Sequence, residues 1–272
     1  MLIIDILTNS CPLILASVGS LFSEYAGILA IFTEGLISFS AFLMFLFTNL
    51  TSSKLIGFFL TIFTASLLTF AFSYIIEKTK ANAFIAATAL NLFFQGFSSC
   101  LSSIIFKTRG VLYSELFTFS TFEYKTTSIL LTTILVILSI LFLFKTKYGI
   151  YIRITGSDSE VLTAKGISAS NCRMISWTLS ALFASIAGIL LSMKISSFVS
   201  NIASGRGWMA LAAVYLGRKN TIRIVISILI FCIADYLSLY IQNFIPSIPS
   251  YLLLSMPYIV ILLFASLERN QK

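Results

Sequence analysis

The chain has 272 residues, of which 58% are hydrophobic and only 10% are charged, with a formal net charge of +8. An ordinary soluble domain carries about 25% charged residues. A soluble fold of this size would therefore lack the charges to cover its surface. The composition predicts a polytopic membrane protein instead.

The residue inventory also excludes several kinds of chemistry. The chain contains no histidine, which excludes histidine-based triads, zinc sites and haem ligation. The four cysteines show no CxxC spacing, so they indicate neither a metal site nor a disulfide framework. We interpret the positive charge as the Lys/Arg surplus of cytoplasmic loops, and we expect contact with membrane lipids and not with nucleic acid.

Apolar stretches of spanning length recur along the chain, since a helix needs about 20 apolar residues to cross the hydrocarbon core. They lie at residues 3–21, 27–48, 55–76, 82–106, 127–145, 174–194, 222–242 and 250–267. A shorter stretch at 207–218 is either a ninth span or a re-entrant half-helix. We predict an all-α transmembrane bundle of eight to nine spans, forming one domain over residues 1–272.

The distribution of basic residues predicts the orientation. If the loop at 146–173 is cytoplasmic and 207–218 crosses, twelve of the 18 Lys and Arg residues face the cytoplasm. The outer set is Lys54, Lys107, Arg109, Lys125, Lys194 and Arg206. This bias favours an outer N-terminus and a cytoplasmic C-terminus.

The loop at 146–173 carries the signals of a short helix. Ser157 and Glu160 have capping-box spacing, and Asp158 and Glu160 place negative charge at the positive end of a helix. Val161, Leu162 and Ala164 form its apolar side, and Gly166 ends it. We expect about two helical turns, which serve either as an ordinary connector or as a knob that docks in a groove of a soluble partner.

Polar side chains inside the apolar stretches are the candidate pathway residues. A charge at the bilayer centre costs about 2.5–3.5 kcal/mol on insertion scales. Apart from Asp5 at the very start of the first stretch, Glu34 and Asp235 are the acids within predicted spans, and Asn91 and Gln95 add amides. We expect these four to line a polar pathway, the alternative being hydrogen bonds that join neighbouring helices.

Several segments, taken together in order and spacing, resemble a known family. They are Ser23-Glu24-Tyr25-Ala26-Gly27-Ile28-Leu29, Glu34-Gly35, Ala81-Asn82, Ala89-Leu90-Asn91-Leu92, Tyr148-Gly149-Ile150-Tyr151-Ile152-Arg153, Ala164-Lys165-Gly166-Ile167, Gly205-Arg206-Gly207-Trp208-Met209-Ala210-Leu211-Ala212-Ala213-Val214, Leu216-Gly217-Arg218 and Pro257-Tyr258. The chain resembles the permease subunits of ABC importers for simple sugars and nucleosides, within the ribose and branched-chain amino-acid permease superfamily. It is most similar to the shorter permease of nucleoside systems that use a basic membrane lipoprotein as receptor.

The resemblance implies a transport subunit that is not itself an enzyme. It implies that residues 157–166 are the coupling helix that docks on an ABC ATPase subunit, which binds the ATP, so that this chain needs no cofactor. It further implies a second, homologous permease, an extracytoplasmic substrate-binding lipoprotein and the bacterial cytoplasmic membrane. Gly205-Arg206-Gly207 lacks the lysine of a phosphate-binding loop, in keeping with the absence of a nucleotide site.

Three other hypotheses fit the same sequence. The first is the same fold carrying branched-chain amino acids. The second is an ion-coupled secondary transporter that uses Glu34 and Asp235 as proton or sodium sites. The third is a membrane-embedded enzyme, which the lack of histidine and of an extramembrane catalytic domain disfavours.

Overall fold

The computed structural model describes residues 2–108, 110–244 and 255–269, and this part of the chain is built of helices joined by short connections. They are α1 (Leu2–Tyr25), α2 (Thr33–Thr51), α3 (Lys54–Thr79), α4 (Ala83–Phe106), α5 (Thr121–Lys145), α6 (Lys147–Ser157), α7 (Ser159–Ala164), α8 (Ala169–Ile195), α9 (Arg206–Leu216), α10 (Thr221–Phe244) and α11 (Met256–Arg269), with a 3-10 turn at Glu115–Phe117. The all-α prediction is confirmed.

Seven of the described helices, α1 to α5, α8 and α10, are long and apolar enough to cross a membrane. The predicted span at 250–267 corresponds to α11, and residues 250–254 of that prediction lie outside the described residues. The doubtful stretch at 207–218 forms α9, whose 11 residues extend about 16 Å. That is about half of the roughly 30 Å of hydrocarbon, so α9 is a half-helix.

The bundle has two distinct ends. At the end that we call the loop end, α6 and α7 lie beside the C-terminus of α1 and the N-terminus of α8. At the opposite end, Lys125 of α5 pairs with Asp5 of α1 at 2.6 Å, and Leu112 forms an isolated antiparallel bridge with Phe198. Lys54, which donates to the Thr118 carbonyl, and Lys125 of the predicted outer set lie at this opposite end. Arg109 of the same set lies outside the described residues.

Three helices form the core and four others face outward. Most of α1, α2 and α8 is buried, whereas the spanning windows of α3, α4, α5 and α10 are only 22–28% buried. Their outer surfaces are apolar, with Leu55 and Phe122 more than 70% exposed. An apolar surface over hydrophobic helices is what a bilayer requires, and the protein is a multi-pass membrane protein.

Many of the buried hydroxyl groups donate to carbonyls of their own helices. Ser17 donates to the carbonyl of Leu13 at 2.9 Å, and Thr69 donates to the carbonyl of Ala65 at 2.9 Å. A Ser or Thr that donates to the carbonyl one turn earlier needs no partner on another helix. Among the described residues, such hydroxyls therefore lie in the core without needing hydrogen bonds to another helix.

The predicted span at 27–48 begins too early. Residues 26–32 are not helical, and Gly27 adopts a left-handed φ of 79°, which a residue with a side chain rarely adopts. The chain folds back into the bundle along α1, so that the Thr33 hydroxyl lies 3.3 Å from that of Ser20. The first turn of α2 thus lies inside the bundle at the depth of Ser20. Ser20 is about 7 Å along the helix axis from the C-terminal end of α1.

The short helix of the loop begins one residue later than predicted. The N-cap of α7 is Asp158, whose Oδ1 accepts from the backbone nitrogen of Glu160 at 3.0 Å. Ser157 is instead the last residue of α6, where its hydroxyl donates to the carbonyl of Ile154. The carboxylate of Asp158 reaches the free N–H groups of α7, so the predicted capping box with Ser157 is wrong. Gly166 has the expected left-handed φ, at 74°.

Candidate functional site

The buried carboxylate of Glu34 holds the N-terminus of α9. Glu34 lies in the first turn of α2 and is only 3% exposed. Its Oε1 accepts from the backbone nitrogen of Gly205, and its Oε2 accepts from that of Gly207, each at 2.6 Å. The first N–H groups of a helix have no partner within the helix and form a positive end that favours an anion. Glu34 therefore caps α9 from a different helix.

A second buried side chain caps α2 in the same way. Asn91 of α4 is 5% exposed, and its Oδ1 accepts from the backbone nitrogen of Gly35 at 2.6 Å. Gly35 belongs to the first turn of α2, directly after Glu34. The two contacts form a relay in which α4 caps α2 and α2 caps α9. We call Asn91, Glu34 and the residues that they cap the capping relay.

Glycine makes this relay possible. A Cβ atom on Gly207 would lie 2.5 Å from the backbone nitrogen of Glu34, which is closer than real Cβ contacts allow. Gly205 has a φ of 86°, and a Cβ atom there would meet the hydroxyl of Tyr258 on α11. The carboxylate of Glu34 can reach both nitrogens only because no side chain separates the two backbones.

The other end of α9 is attached to the C-terminus of α1. The Tyr25 hydroxyl donates to the carbonyl of Lys219, and the Lys219 ammonium pairs with Glu24 at 3.2 Å. The chain therefore runs from Phe198 at the opposite end, through turns and the half-helix, to Lys219 at the loop end. Residues 196–219 thus cross the bundle with only about half of that path in a regular helix.

The α6–α7 segment contacts the same C-terminus of α1 directly. A Cβ atom on Gly156 of α6 would lie 2.2 Å from the Tyr25 carbonyl oxygen and 2.7 Å from the Gly27 nitrogen. A small cluster of buried Ala26, Ile152 and Cys172 joins α1, α6 and α8 at this point. The loop thus packs on the turn from which the chain enters the capping relay.

A cavity of about 480 Å³ lies between α1, α5, α8, α9, α10 and α11. Its polar side chains include Lys194, Arg206 and Asp235. The residues that line it are Ile6, Asn9, Pro12, Leu13, Tyr124, Leu191, Lys194, Ser204, Arg206, Met209, Phe231, Cys232, Asp235, Tyr236, Pro257 and Tyr258. A neighbouring cavity of about 290 Å³ shares Asn9, Tyr124 and Lys194 with it and reaches the Asp5–Lys125 pair at the opposite end. The volume of the larger cavity lies within the range of small-molecule sites.

The structure separates the four predicted pathway residues. Glu34 and Asn91 come together in the capping relay, where both are engaged by backbone nitrogens. Gln95 lies one turn further along α4, half-buried, and does not line the larger cavity. Asp235 is the one of the four that lines it.

Several site residues were not singled out from the sequence. Lys194 entered only as a charge of the predicted outer set, and Arg206 entered as such a charge and within the Gly205-Arg206-Gly207 segment. Tyr236 and Cys232 were not predicted to belong to a site. A signal was present for Gly205 and Gly207, because two glycines that flank the start of a helix leave its N–H groups open to an anion. Their partner Glu34 is about 170 residues away, which no local pattern indicates.

Comparison with known proteins agrees with this architecture. Residues 2–265 match the family described as the permease component of branched-chain amino acid transport systems. The nucleoside ABC transporter permease protein NupC of Lactococcus lactis is 26% identical, covering 98% of this chain and 91% of that protein. The guanosine ABC transporter permease protein NupQ of Bacillus subtilis is 29% identical, covering 94% and 88%.

A solved structure shares the fold. PsaBC from Streptococcus pneumoniae in complex with Fab aligns with a TM-score of 0.58 over 95% of this chain and 88% of that chain, at 13% identity. At this level of identity the likeness concerns the arrangement of helices alone.

Proposed function

Because the chain belongs to the family of permease components of branched-chain amino acid transport systems, we propose that it is the membrane permease subunit of an ATP-driven importer for nucleosides. The observation that carries the substrate class is the match, over nearly the whole chain, to relatives named as nucleoside and guanosine permeases. A short match to one segment would support the fold only, whereas these matches include both α9 and the polar residues around it.

The energy comes from a separate ABC ATPase subunit that docks at the loop end. On α7, Leu162 is fully buried whereas Val161 is 43% exposed and Ala164 is exposed. Leu162 holds the helix on the bundle, and the exposed apolar residues are available to a groove on the partner. This division of roles supports α7, together with the flanking Ser157, Asp158, Glu160 and Gly166, as the coupling helix.

A continuous set of contacts leads from this loop to the cavity. Gly156 of α6 packs on the turn at Tyr25 and Gly27, residues 28–32 lead from that turn to Glu34, and Glu34 holds α9. Residues of α9 form one wall of the cavity. We propose that a displacement of α6–α7 by the ATPase moves the half-helix and so changes the cavity between the two states of alternating access.

The remaining partners follow from the family and from the two ends of the bundle. A second, homologous permease pairs with this chain, and a substrate-binding lipoprotein delivers the ligand at the opposite end, outside the bacterial cytoplasmic membrane. Added to the seven spanning helices, α9 with its preceding turns and α11 would give the nine-span alternative. This topology keeps the loop end cytoplasmic, where the Lys/Arg surplus lies.

Uptake by the assembled complex tests the proposal. Vesicles containing this chain, its partner permease, the ATPase and the receptor are loaded with ATP and supplied with labelled uridine. We expect uptake that needs ATP hydrolysis and is inhibited by excess unlabelled nucleoside but not by leucine. Inhibition by leucine alone would favour the branched-chain amino acid hypothesis. Uptake that collapses with an ionophore while ATP is held constant would favour an ion-coupled transporter.

A further inference from the structure

The larger cavity has three properties of a ligand site in addition to its volume. It lies beside the half-helix, so its shape changes when α9 moves. It shares Asn9, Tyr124 and Lys194 with the smaller cavity, which lies on the side of the opposite end. Its lining combines ionisable groups with tyrosine rings in a part of the protein that is otherwise apolar.

In the part of the chain that the structure describes, the charged groups of the cavity form no salt bridge with one another. Among the described residues the salt bridges are Lys125–Asp5, Arg173–Glu77 and Lys219–Glu24. Neither Lys194 nor Asp235 takes part in these pairs, and within the same residues Arg206 donates to the backbone carbonyls of Ile202 and Ala203, both at 3.3 Å. A carboxylate inside a membrane bundle is costly unless it serves a partner or a ligand.

The chemistry of these groups points to a ligand with hydroxyls and a flat polar ring. A carboxylate only accepts hydrogen bonds, and its two oxygens can accept from two neighbouring hydroxyl groups of one ligand. The Lys194 ammonium and the Arg206 guanidinium only donate hydrogen bonds, so their partners on a ligand would be carbonyl oxygens and ring nitrogens. Tyr124, Tyr236 and Tyr258 supply aromatic faces and hydroxyls.

We propose that this cavity is the nucleoside-binding site within the permease, with Asp235 accepting the hydroxyls of the ribose and the tyrosines flanking the base. This assignment rests on the proposed function and adds to it a site inside one subunit. It also assigns different roles to the two intramembrane acids: Asp235 contacts the ligand, whereas Glu34 positions the half-helix beside it.

Substrate discrimination tests the role of Asp235. In the assembled complex, uptake of uridine is compared with that of 2′,3′-dideoxyuridine, which lacks both ribose hydroxyls. A buried group left unpaired costs affinity, so we expect the complex to prefer uridine by about tenfold or more. The Asp235→Asn variant should lose most uridine uptake but keep dideoxyuridine uptake within about twofold, because the lost contact is absent from that substrate. The control is Glu115→Gln, which changes an exposed acid at the opposite end of the bundle. This variant should retain the preference for uridine over dideoxyuridine.

The outcomes separate this inference from the proposed function. If the unmodified complex takes up uridine and Asp235→Asn keeps the same preference, the site assignment is wrong and the importer function stands. An equal loss of both substrates in Asp235→Asn would also count against the assignment. If the complex takes up no nucleoside, both the proposed function and this inference are wrong.

Native thiols provide a measurement that does not depend on transport. Cys232 lines the cavity, whereas Cys100 of α4 is exposed on the outside of the bundle. A small thiol reagent is applied to the complex, and labelling of each cysteine is followed by mass spectrometry with and without uridine. We expect uridine to slow labelling of Cys232 several-fold and to leave Cys100 unchanged, and we expect Asp235→Asn to abolish the protection. Protection by leucine and not by uridine, or uridine protection that survives in Asp235→Asn, would contradict the assignment.

Discussion

Glu34 of α2 and Gly207 of α9 are in backbone contact, because a Cβ atom on Gly207 would lie only 2.5 Å from the Glu34 nitrogen and 2.6 Å from its Cα. The first turns of two helices therefore meet inside the bundle. Two positive helix ends would repel each other, and the Glu34 carboxylate places a negative charge between them. This contact attaches the start of the half-helix to α2, as the Tyr25–Lys219 hydrogen bond attaches its far end to α1.

Enlarging Gly207 should separate the two helices. In Gly207→Ala the new methyl group would overlap backbone atoms of Glu34, which cannot rotate away. We expect a destabilisation of about 1–3 kcal/mol, typical of overpacking, and a lower melting temperature of the purified complex. The matched control is Gly96→Ala, since a Cβ atom on that helical glycine would have none of the described residues within 4 Å. It should be neutral or slightly stabilising, by about 0.5–1 kcal/mol. Equal melting temperatures for the two variants would argue against the tight contact.

Removing the Glu34 carboxylate should release α9. Glu34→Ala leaves the nitrogens of Gly205 and Gly207 without their acceptors, and hydrogen bonds to a charged group are worth about 1.5–3 kcal/mol each. Glu34→Gln keeps one acceptor oxygen, so its loss should be intermediate. The measurement is the melting temperature of the complex together with uridine uptake, and Glu115→Gln serves as the control for loss of one exposed acid. A full retention of uptake in Glu34→Ala would show that α9 does not need this cap.

A larger residue at position 156 should disturb coupling between the loop and the bundle. The Gly156→Ala methyl group would overlap the Tyr25 carbonyl oxygen and the Gly27 nitrogen, so α6 must move away from the end of α1. We expect ATP hydrolysis by the assembled complex to continue while uridine uptake per ATP falls several-fold, since the contact set that leads to α9 is broken. A proportional loss of hydrolysis and uptake would indicate poor assembly instead, and an unchanged ratio would contradict the route.

The exposed side of α7 should be required for ATPase docking. Val161→Asp places a charge on the apolar surface offered to the partner, and Val161 is 43% exposed, so the fold of this chain should tolerate it. We expect the ATPase to be lost on co-purification while the melting temperature of the permease is unchanged. Val111→Asp changes a 64% exposed valine at the opposite end and should retain the ATPase. If both variants retain it, α7 is not the docking surface.

Much of the helical framework could be predicted because it depends on local properties. The stretch at 127–145 was long and continuously apolar, and it became part of α5 (Thr121–Lys145). The helix begins earlier than the apolar stretch, because the capping box of Ser120 and Glu123 sets the start of α5. That segment is polar, so hydropathy alone does not identify it as part of the helix. The stretch at 27–48 misled because residues 28–32 are apolar without being helical, and hydropathy does not distinguish an apolar turn or loop segment from a helix.

The site was only partly predictable, for a physical reason. Glu34 and Asn91 were recognised as costly polar groups inside apolar stretches, and both are indeed buried and hydrogen-bonded. Their partners are backbone N–H groups at the ends of other helices, and every residue except proline carries such a group. The side chain type therefore reveals that a partner is needed, whereas only the packing of α2, α4 and α9 reveals which one.

The start of the half-helix is held by both oxygens of the Glu34 carboxylate. A slide of α9 by a fraction of a turn would carry both nitrogens out of reach together, because they belong to the same rigid first turn. No intermediate position keeps one of these two hydrogen bonds while the other is broken. The start of α9 should therefore have two discrete positions, one hydrogen-bonded to Glu34 and one released from it, with no continuous range between them.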